Sequence, residues 1–284
     1  MVTVITKTQE LILHRAQVKT TVGLVPTMGN LHAGHISLLT RALQDNETAY
    51  LSIFVNPKQF GPNDDFHKYP RTLQKDIDLI QVCATNFPDK KVIIYAPESP
   101  DDIFPPSYNM NFAVTEFNSI SEGASRPGHF DGVATVVYRL FDLMKPTQAY
   151  FGLKDYQQYL VLRQMVKDLC LPLKIVGMPI LREESGLAMS SRNQYLSAEQ
   201  KVEGLVISKA MKKIMELLGG KRANLPVAQR EITALLLDKN WNYLEMRDAD
   251  SLSTNITNSK RITLVGVYQL GTTRLLDNMQ MELE

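Results

Sequence analysis

The feature that most constrains this chain is a rhythm repeated along its first 180 residues. Short β-branched runs at 22–25, 50–55, 92–95, 149–152 and 173–177 alternate with helical patterns at 35–44, 73–84, 133–144 and 156–169. Parallel strands need long crossovers, and helices are the usual crossover, so this alternation predicts an α/β fold. The expected architecture is a doubly wound, mainly parallel sheet with helices on both faces. Ligands of such sheets bind beyond the carboxyl ends of the strands, where the strand order reverses, so residues just after each strand deserve scrutiny. Around 181–197 the pattern turns polar and rich in Ser and Arg. A helix is then expected over 198–218, stopped by Gly219-Gly220, with strands over 243–246 and 262–268. Two domains follow as an expectation: 1–181, and a smaller α+β domain over 182–284.

Composition limits what such a fold serves. The 284 residues carry a formal net charge of +1, so no global field favours nucleic acid or a membrane surface, and phosphate binding must arise locally. No run approaches the roughly 18 apolar residues of a membrane span, and residues 1–9 lack the basic and apolar regions of a secretory signal. A cytoplasmic location is expected. Cys83 and Cys170, without metal-ligand spacing, read as buried reduced thiols. The Pro-rich stretch 99–107 reads as a surface loop, with a lid or partner role as the alternative.

The sharpest motif follows the first of these strands: Pro26-Thr27-Met28-Gly29-Asn30-Leu31-His32-Ala33-Gly34-His35. Gly29 permits a sharp turn, and Gly34 permits close approach to the backbone of a starting helix. His32 and His35, three apart, share one side of that helix's N-terminus, where the dipole and backbone N–H groups favour phosphate. Capping histidines or a two-histidine metal site are the alternatives, though neither needs the glycines and no third ligand is nearby. After the next strand, Asn56 and Gln59 in Phe54-Val55-Asn56-Pro57-Lys58-Gln59-Phe60-Gly61 offer neutral groups for a small hydroxylated substrate, or form an ordinary Asn-Pro turn. Residues 64–72 read as a loop leading into a helix. No Walker-type phosphate loop occurs.

Residues 32–35 resemble the His-x-Gly-His signature of the nucleotidyltransferase superfamily. Four further stretches narrow the resemblance: Arg126-Pro127-Gly128-His129-Phe130-Asp131-Gly132-Val133-Ala134-Thr135-Val136-Val137, Phe151-Gly152-Leu153-Lys154-Asp155-Tyr156-Gln157-Gln158, Gly186-Leu187-Ala188-Met189-Ser190-Ser191-Arg192-Asn193, and Gly271-Thr272-Thr273-Arg274-Leu275-Leu276-Asp277-Asn278. In this order, over nearly the whole chain, they resemble the pantothenate synthetase (pantoate–β-alanine ligase) family. The resemblance implies a Rossmann-like N-terminal domain and a C-terminal lid. It also implies the substrates ATP, (R)-pantoate and β-alanine, Mg²⁺ accompanying ATP, a pantoyl-adenylate intermediate in coenzyme A biosynthesis, and a homodimer.

Carried over position by position, the resemblance assigns ATP contacts to Met28, Gly29, Asn30, Leu31, His32, Ala33, Gly34 and His35, with His35 catalytic and His32 assisting. Gly152, Leu153, Lys154 and Asp155 also meet ATP, Lys154 at the phosphates and Asp155 near the ribose, while Leu181 offers a backbone contact to adenine. Met189, Ser190, Ser191 and Arg192 match a loop closing over the triphosphate. Gln59 and Gln158 match the glutamines that hold pantoate, Gln59 also bordering β-alanine. Leu153 stands where many relatives carry a polar residue. Lys154 and Arg192 supply positive charge, and Ser190 and Ser191 hydroxyl donors; the plain alternative for Lys154-Asp155 is a surface ion pair. Asp76 is a candidate Mg²⁺ ligand or a solvated helix-face acid. Arg126 is an anion contact or a structural loop residue, and His129 reads as part of a rigid turn outside the chemistry. Rival readings are another nucleotidyltransferase, a tRNA synthetase fragment, and a silent nucleotide sensor.

Overall fold

Apolar runs buried on both faces favour parallel pairing, and such runs at the centre, flanked by less buried edge strands, form one six-stranded sheet. The computed structural model describes residues 1–62 and 64–284. Contacts divide the chain into two units, residues 1–153 with 161–179, and residues 154–160 with 180–284. The first half of the chain runs β1 (Val2–Ile5), α1 (Thr8–Gln17), β2 (Val22–Thr27), α2 (Ala33–Asp45), β3 (Thr48–Ile53), α3 (Leu73–Ala84), β4 (Lys91–Tyr95), α4 (Pro100–Ile103), α5 (Ser121–Ser125), α6 (His129–Met144), β5 (Gln148–Gly152), α7 (Tyr156–Asp168) and β6 (Lys174–Met178). The strands are ordered β1-β4-β3-β2-β5-β6, all parallel. Successive strands step outward from β2 to β4, then in the opposite direction through β5 and β6. The order therefore reverses between β2 and β5, the α/β arrangement the alternation predicted.

Side-chain alternation covers both faces of this sheet. Val25, Ala49, Leu51, Val92 and Ile94 pack against Leu38, Leu39, Ala42 and Leu43 of α2 and Ile80 and Cys83 of α3. On the other face α1 reaches the sheet through His14 Nδ1 and Tyr50 Oη, 2.8 Å apart, and through Thr8 Oγ1 and Tyr95 Oη, 2.7 Å apart. Arg15 ties α1 to α6, donating from Nε to Met144 O at 2.6 Å and from one terminal nitrogen to Lys145 O at 2.9 Å. A cation on the last carbonyls of α6 complements its dipole.

The second unit contains α8 (Ala198–Glu203), α9 (Leu205–Leu218), α10 (Leu225–Leu235), β7 (Trp241–Asp248), β8 (Arg261–Leu270) and β9 (Thr273–Glu282). The strands form an antiparallel β7-β8-β9 sheet. Ile207, Met211, Ile214 and Leu218 of α9, spaced along one helix face, bury against Leu244, Leu264 and Tyr268.

Three expectations change. The helix expected over 198–218 is two helices joined at Gly204, where a Cβ would lie 2.8 Å from Leu275 Cδ1. Stretch 99–107 includes the one-turn helix α4, and Ile103 and Phe104 are buried, so it is not wholly a surface loop. Cys83 is buried but Cys170 is exposed. Cys170 stands in a left-handed turn (φ 49°) just after α7, so the apolar stretch around it ends the helix instead of lying against the core.

Candidate active site

β2 ends at Thr27 beside β5, and the chain leaves the sheet at the point where strand order reverses. Gly29 (φ 80°) and Asn30 (φ 50°) turn it sharply in left-handed conformations. A Cβ on Gly29 would also come 3.0 Å from Asp76 Oδ2 and 3.0 Å from Ile53 Cγ2, so both conformation and space call for glycine. Asp76, on the first turn of α3 and only 1% exposed, holds this turn. Its Oδ1 accepts from Leu31 N at 2.7 Å and its Oδ2 from Asn30 N at 3.0 Å, while Thr72 Oγ1 lies 3.3 Å from each oxygen. Burial raises the Asp76 carboxyl above its ordinary value, against the pull of these N–H and O–H donors.

The anchored turn delivers His32 as the N-cap of α2. Gly34 N donates to His32 Nδ1 at 3.1 Å, and His32 N donates to His35 Nδ1 at 3.4 Å. Each ring therefore accepts through Nδ1, which places the proton of the neutral imidazole on Nε2. The rings are 4.2 Å apart at 45°. No acidic residue occupies the first turn of α2 to compete for its positive dipole end. Two Nε2–H donors at a helix N-terminus form an arrangement suited to phosphate oxygens.

Gln59 ends a 3-10 turn, Pro57–Gln59, in the same unit. Its Oε1 accepts from Asn56 Nδ2 at 3.0 Å, and its Nε2 lies 3.2 Å from Met28 Sδ, which brings the first two motifs together. Asn56, 1% exposed, also donates to Gly132 O at 3.1 Å and accepts from Lys58 N at 3.2 Å, so its amide organises the turn. The carbonyl of Gln59 accepts from His129 Nδ1 at 2.8 Å and from an Arg126 terminal nitrogen at 3.3 Å. The same Arg126 nitrogen is 2.7 Å from Asp64 Oδ2. His129, read from sequence as a turn residue, thus braces the backbone of Gln59, a role with no local signal because its partner is 70 residues away.

Arg126 also changes how Asp64 titrates. Burial pushes the Asp64 carboxyl up, but the Arg126 bond and the Gly61 N–H outweigh it, and the net shift is downward. A lowered folded value gives stability that is present above the unfolded carboxyl value of about 3.9 and lost as pH falls through the lower folded value. Asp64→Asn is therefore expected to be less stable than wild type near neutrality, with the difference closing in acid. Urea midpoints followed from pH 7 down to about 2.5 check this; a difference constant across that range would count against the ion pair as its source.

Gly152 ends β5, and among the described residues no atom beyond its chain neighbours lies within 4 Å of where a Cβ would point. In the second unit, Lys154 Nζ lies 3.3 Å from Asp155 Oδ1, with side-chain exposures of 19% and 51%. Gln158 is partly exposed on the first turn of α7. Met189 N donates to Leu181 O at 2.9 Å, closing a small hairpin from which residues 189–192 emerge. Ser190 caps the 3-10 turn Ser191–Tyr195, its Oγ accepting from Arg192 N at 3.3 Å.

A family model described as Pantoate-beta-alanine ligase matches residues 1–280. The chain belongs to this ligase family. Curated relatives named pantothenate synthetase include that of Roseiflexus sp. (strain RS-1), 42% identical over 282 residues and covering 98% of this chain and 99% of the relative. That of Acetivibrio thermocellus is 40% identical over 264 residues, 92% of each chain. Among solved structures, the pantothenate synthetase of Thermus thermophilus superposes with a TM-score of 0.87 at 38% identity, covering 98% of this chain and 99% of that one. The pantoate-beta-alanine ligase of Francisella tularensis, complexed with "Beta-gamma ATP and Beta-alanine", superposes with a TM-score of 0.73 at 33% identity, covering 98% and 97%. These matches bear out the expected family, and no helix among the described residues is long and apolar enough to cross a membrane.

A ligase of this family that uses ATP needs its phosphate charge offset, which raises the question of a protein-held Mg²⁺. Among the described residues no group of three or more His, Cys, Asp or Glu side chains is placed to hold a metal ion. Both Asp76 oxygens are already engaged by backbone amides, so this donor set does not form a dedicated magnesium cage. Asp76→Asn keeps the shape but turns an NH₂ group toward a backbone N–H. It is expected to cost about 2 kcal/mol of stability by leaving a buried donor unpaired. It is also expected to weaken ATP binding about tenfold through the loosened turn, without shifting the Mg²⁺ concentration for half-maximal activity. Unfolding curves and magnesium titrations check it; a large shift in magnesium requirement would restore the ligand reading.

Proposed function

We propose that this chain condenses pantoate with β-alanine at the expense of ATP, giving pantothenate, AMP and pyrophosphate. One observation carries the reading: a chain of this ligase family presents two Nδ1-locked histidines at the N-terminus of α2, directly after the β2 strand at the switch of strand order. In the first half-reaction a pantoate carboxylate oxygen attacks the α-phosphorus of ATP. The bond from that phosphorus to the β-phosphate bridging oxygen breaks, and pyrophosphate leaves. In the second, the β-alanine nitrogen attacks the acyl carbon, the carbon–oxygen bond to AMP breaks, and the new amide nitrogen loses a proton.

The residues divide the work by chemistry. His35 and His32 donate Nε2–H to phosphate oxygens, and the backbone of Met28, Gly29, Asn30, Leu31, Ala33 and Gly34 shapes the nucleotide's bed. Lys154 and Arg192 place positive charge on the phosphates, Ser190 and Ser191 add hydroxyl donors, and Met189 belongs to the same closing loop. Gly152, Leu153 and Asp155 line the nucleotide, Asp155 toward the ribose, and Leu181 offers backbone to adenine. Gln59 and Gln158 hold pantoate, Gln59 also bordering β-alanine. Mg²⁺ accompanying ATP would offset part of the phosphate charge beside these residues. No protein nucleophile is required, and positioning with exclusion of water protects the adenylate from hydrolysis. A homodimer in the cytoplasm, with residues 182–284 as a lid domain, completes the reading.

The test is exchange of labelled pyrophosphate into ATP with pantoate and Mg²⁺ present and β-alanine absent. Exchange that depends on pantoate, followed by AMP and pantothenate on adding β-alanine, is expected. Folded protein that catalyses neither would sink the assignment.

A further inference from the structure

The last family motif, residues 271–278, has no substrate role in the proposed reaction, yet it places two adjacent polar side chains almost out of solvent. Asp277 is 1% exposed and Asn278 3% exposed, both on β9. Burying such groups costs free energy unless they are well bonded, and here each is bonded to a segment remote in sequence. Asp277 accepts from both terminal nitrogens of Arg182, at 2.7 and 2.9 Å, in a two-pronged pair. Arg182 bridges Ala188 across the small hairpin and donates to Gly186 O at 3.2 Å. Glu183 N to Leu187 O, at 2.8 Å, completes the hairpin, whose outgoing strand runs directly into Met189, Ser190, Ser191 and Arg192. Asn278 Nδ2 donates to Lys154 O at 2.8 Å, and its own N–H is held by Asp277 Oδ1 at 2.7 Å.

One dipeptide thus fixes both segments of the second unit that the proposed reaction uses at the phosphates. We propose that Asn278 and Asp277 are positioning residues of the adenylation half-reaction, Asn278 acting through the Lys154 backbone and Asp277 through Arg182 on the 189–192 loop. This rests on the phosphate roles proposed for those segments. Purely structural residues would change stability alone. Positioning residues change the handling of ATP and leave pantoate binding near wild type.

Asn278→Asp is nearly isosteric but puts an acceptor opposite the Lys154 carbonyl; Asn278→Ser, which also cannot span the gap, serves should the added charge prevent folding. Pyrophosphate exchange, KM for each substrate and equilibrium ATP affinity would be measured for each variant alone and combined with Lys154→Ala, alongside Tm. The expected result is a loss of about tenfold in exchange, with KM for pantoate within about twofold of wild type. In the Lys154→Ala background the further loss in exchange and in ATP affinity should be less than about twofold, because the lysine through which Asn278 acts is gone. Asp277→Asn, which breaks the two-pronged pair, is expected to raise KM for ATP about tenfold at unchanged KM for pantoate. A folded Asn278 variant with wild-type exchange, or one losing the same factor with and without Lys154, overturns the positioning role. Equal rises in both KM values for Asp277→Asn would do so for Asp277. Wild-type protein without pantoate-dependent exchange would count instead against the proposed reaction itself.

Discussion

His35→Ala is expected to reduce pantoate-dependent pyrophosphate exchange by about 10² to 10⁴, the range associated with removing one preorganised donor or acid–base group from a reacting centre. The size follows from the ring's place at the N-terminus of α2. His35 accepts a long backbone bond at 3.4 Å from His32 N and stacks on His32, 4.2 Å away. Its removal therefore weakens a helix cap, worth about 1 kcal/mol, and leaves the buried face of α2 formed by Leu38, Leu39, Ala42 and Leu43 intact. A small stability change beside a large rate change is the mark of a group that works on the substrate. His35→Gln sharpens the test. A glutamine amide is an N–H donor without an imidazole's proton chemistry, so recovery of about tenfold over alanine would assign His35 mainly to charge stabilisation. No recovery would leave ring geometry or proton transfer as its role. Exchange near the wild-type rate in folded His35→Ala would remove the histidine from the chemistry.

Local pattern made the elements legible, and distant partners made the site legible only in part. The strands read from sequence at 92–95 and 149–152 lie within one residue of β4 and β5, because a parallel strand covered on both faces is a continuous apolar run. Helix 73–84 agrees at both ends with α3. By contrast β1 is four residues at the sheet's edge, too short to register as a pattern, and β9 buries Thr273, Asp277 and Asn278, so its polar residues mask the strand. The same division runs through the site. Gly29 and the paired histidines announce a turn and a helix start locally. Asp76 looks like a helix-face acid until the turn at Asn30 and Leu31, some 45 residues earlier, is folded onto it. Gln59 resembles the glutamine of an ordinary Asn-Pro turn until Met28, Arg126 and His129 surround it.

Gly132→Ala sets two large effects against each other. In a helix interior alanine is favoured over glycine by about 1 kcal/mol, so propensity predicts a more stable protein. Packing predicts the opposite. A Cβ on Gly132 would overlap the carbonyl of Lys58 and lie 2.6 Å from Gln59 N, and these are backbone atoms that no rotamer change can move aside. Nor can α6 withdraw, because Phe130, Val133, Val136, Val137 and Leu140 bury it in the core. The 3-10 turn must give way, and with it Asn56, whose amide links Gly132 O to the Gln59 side chain. Overpacking of this kind costs about 3 kcal/mol, which outweighs the propensity gain. The net effect expected is a loss of about 2 kcal/mol, lowering Tm by roughly 4–8 °C. Displacement of Gln59 should raise KM for pantoate about tenfold or more while KM for ATP changes far less, because the anchors of the His32–His35 segment are untouched. Thermal unfolding and the two KM values decide the contest. A variant at least as stable as wild type, with unchanged KM for pantoate, would mean that the turn yields freely and that the close approach at Gly132 does not place Gln59.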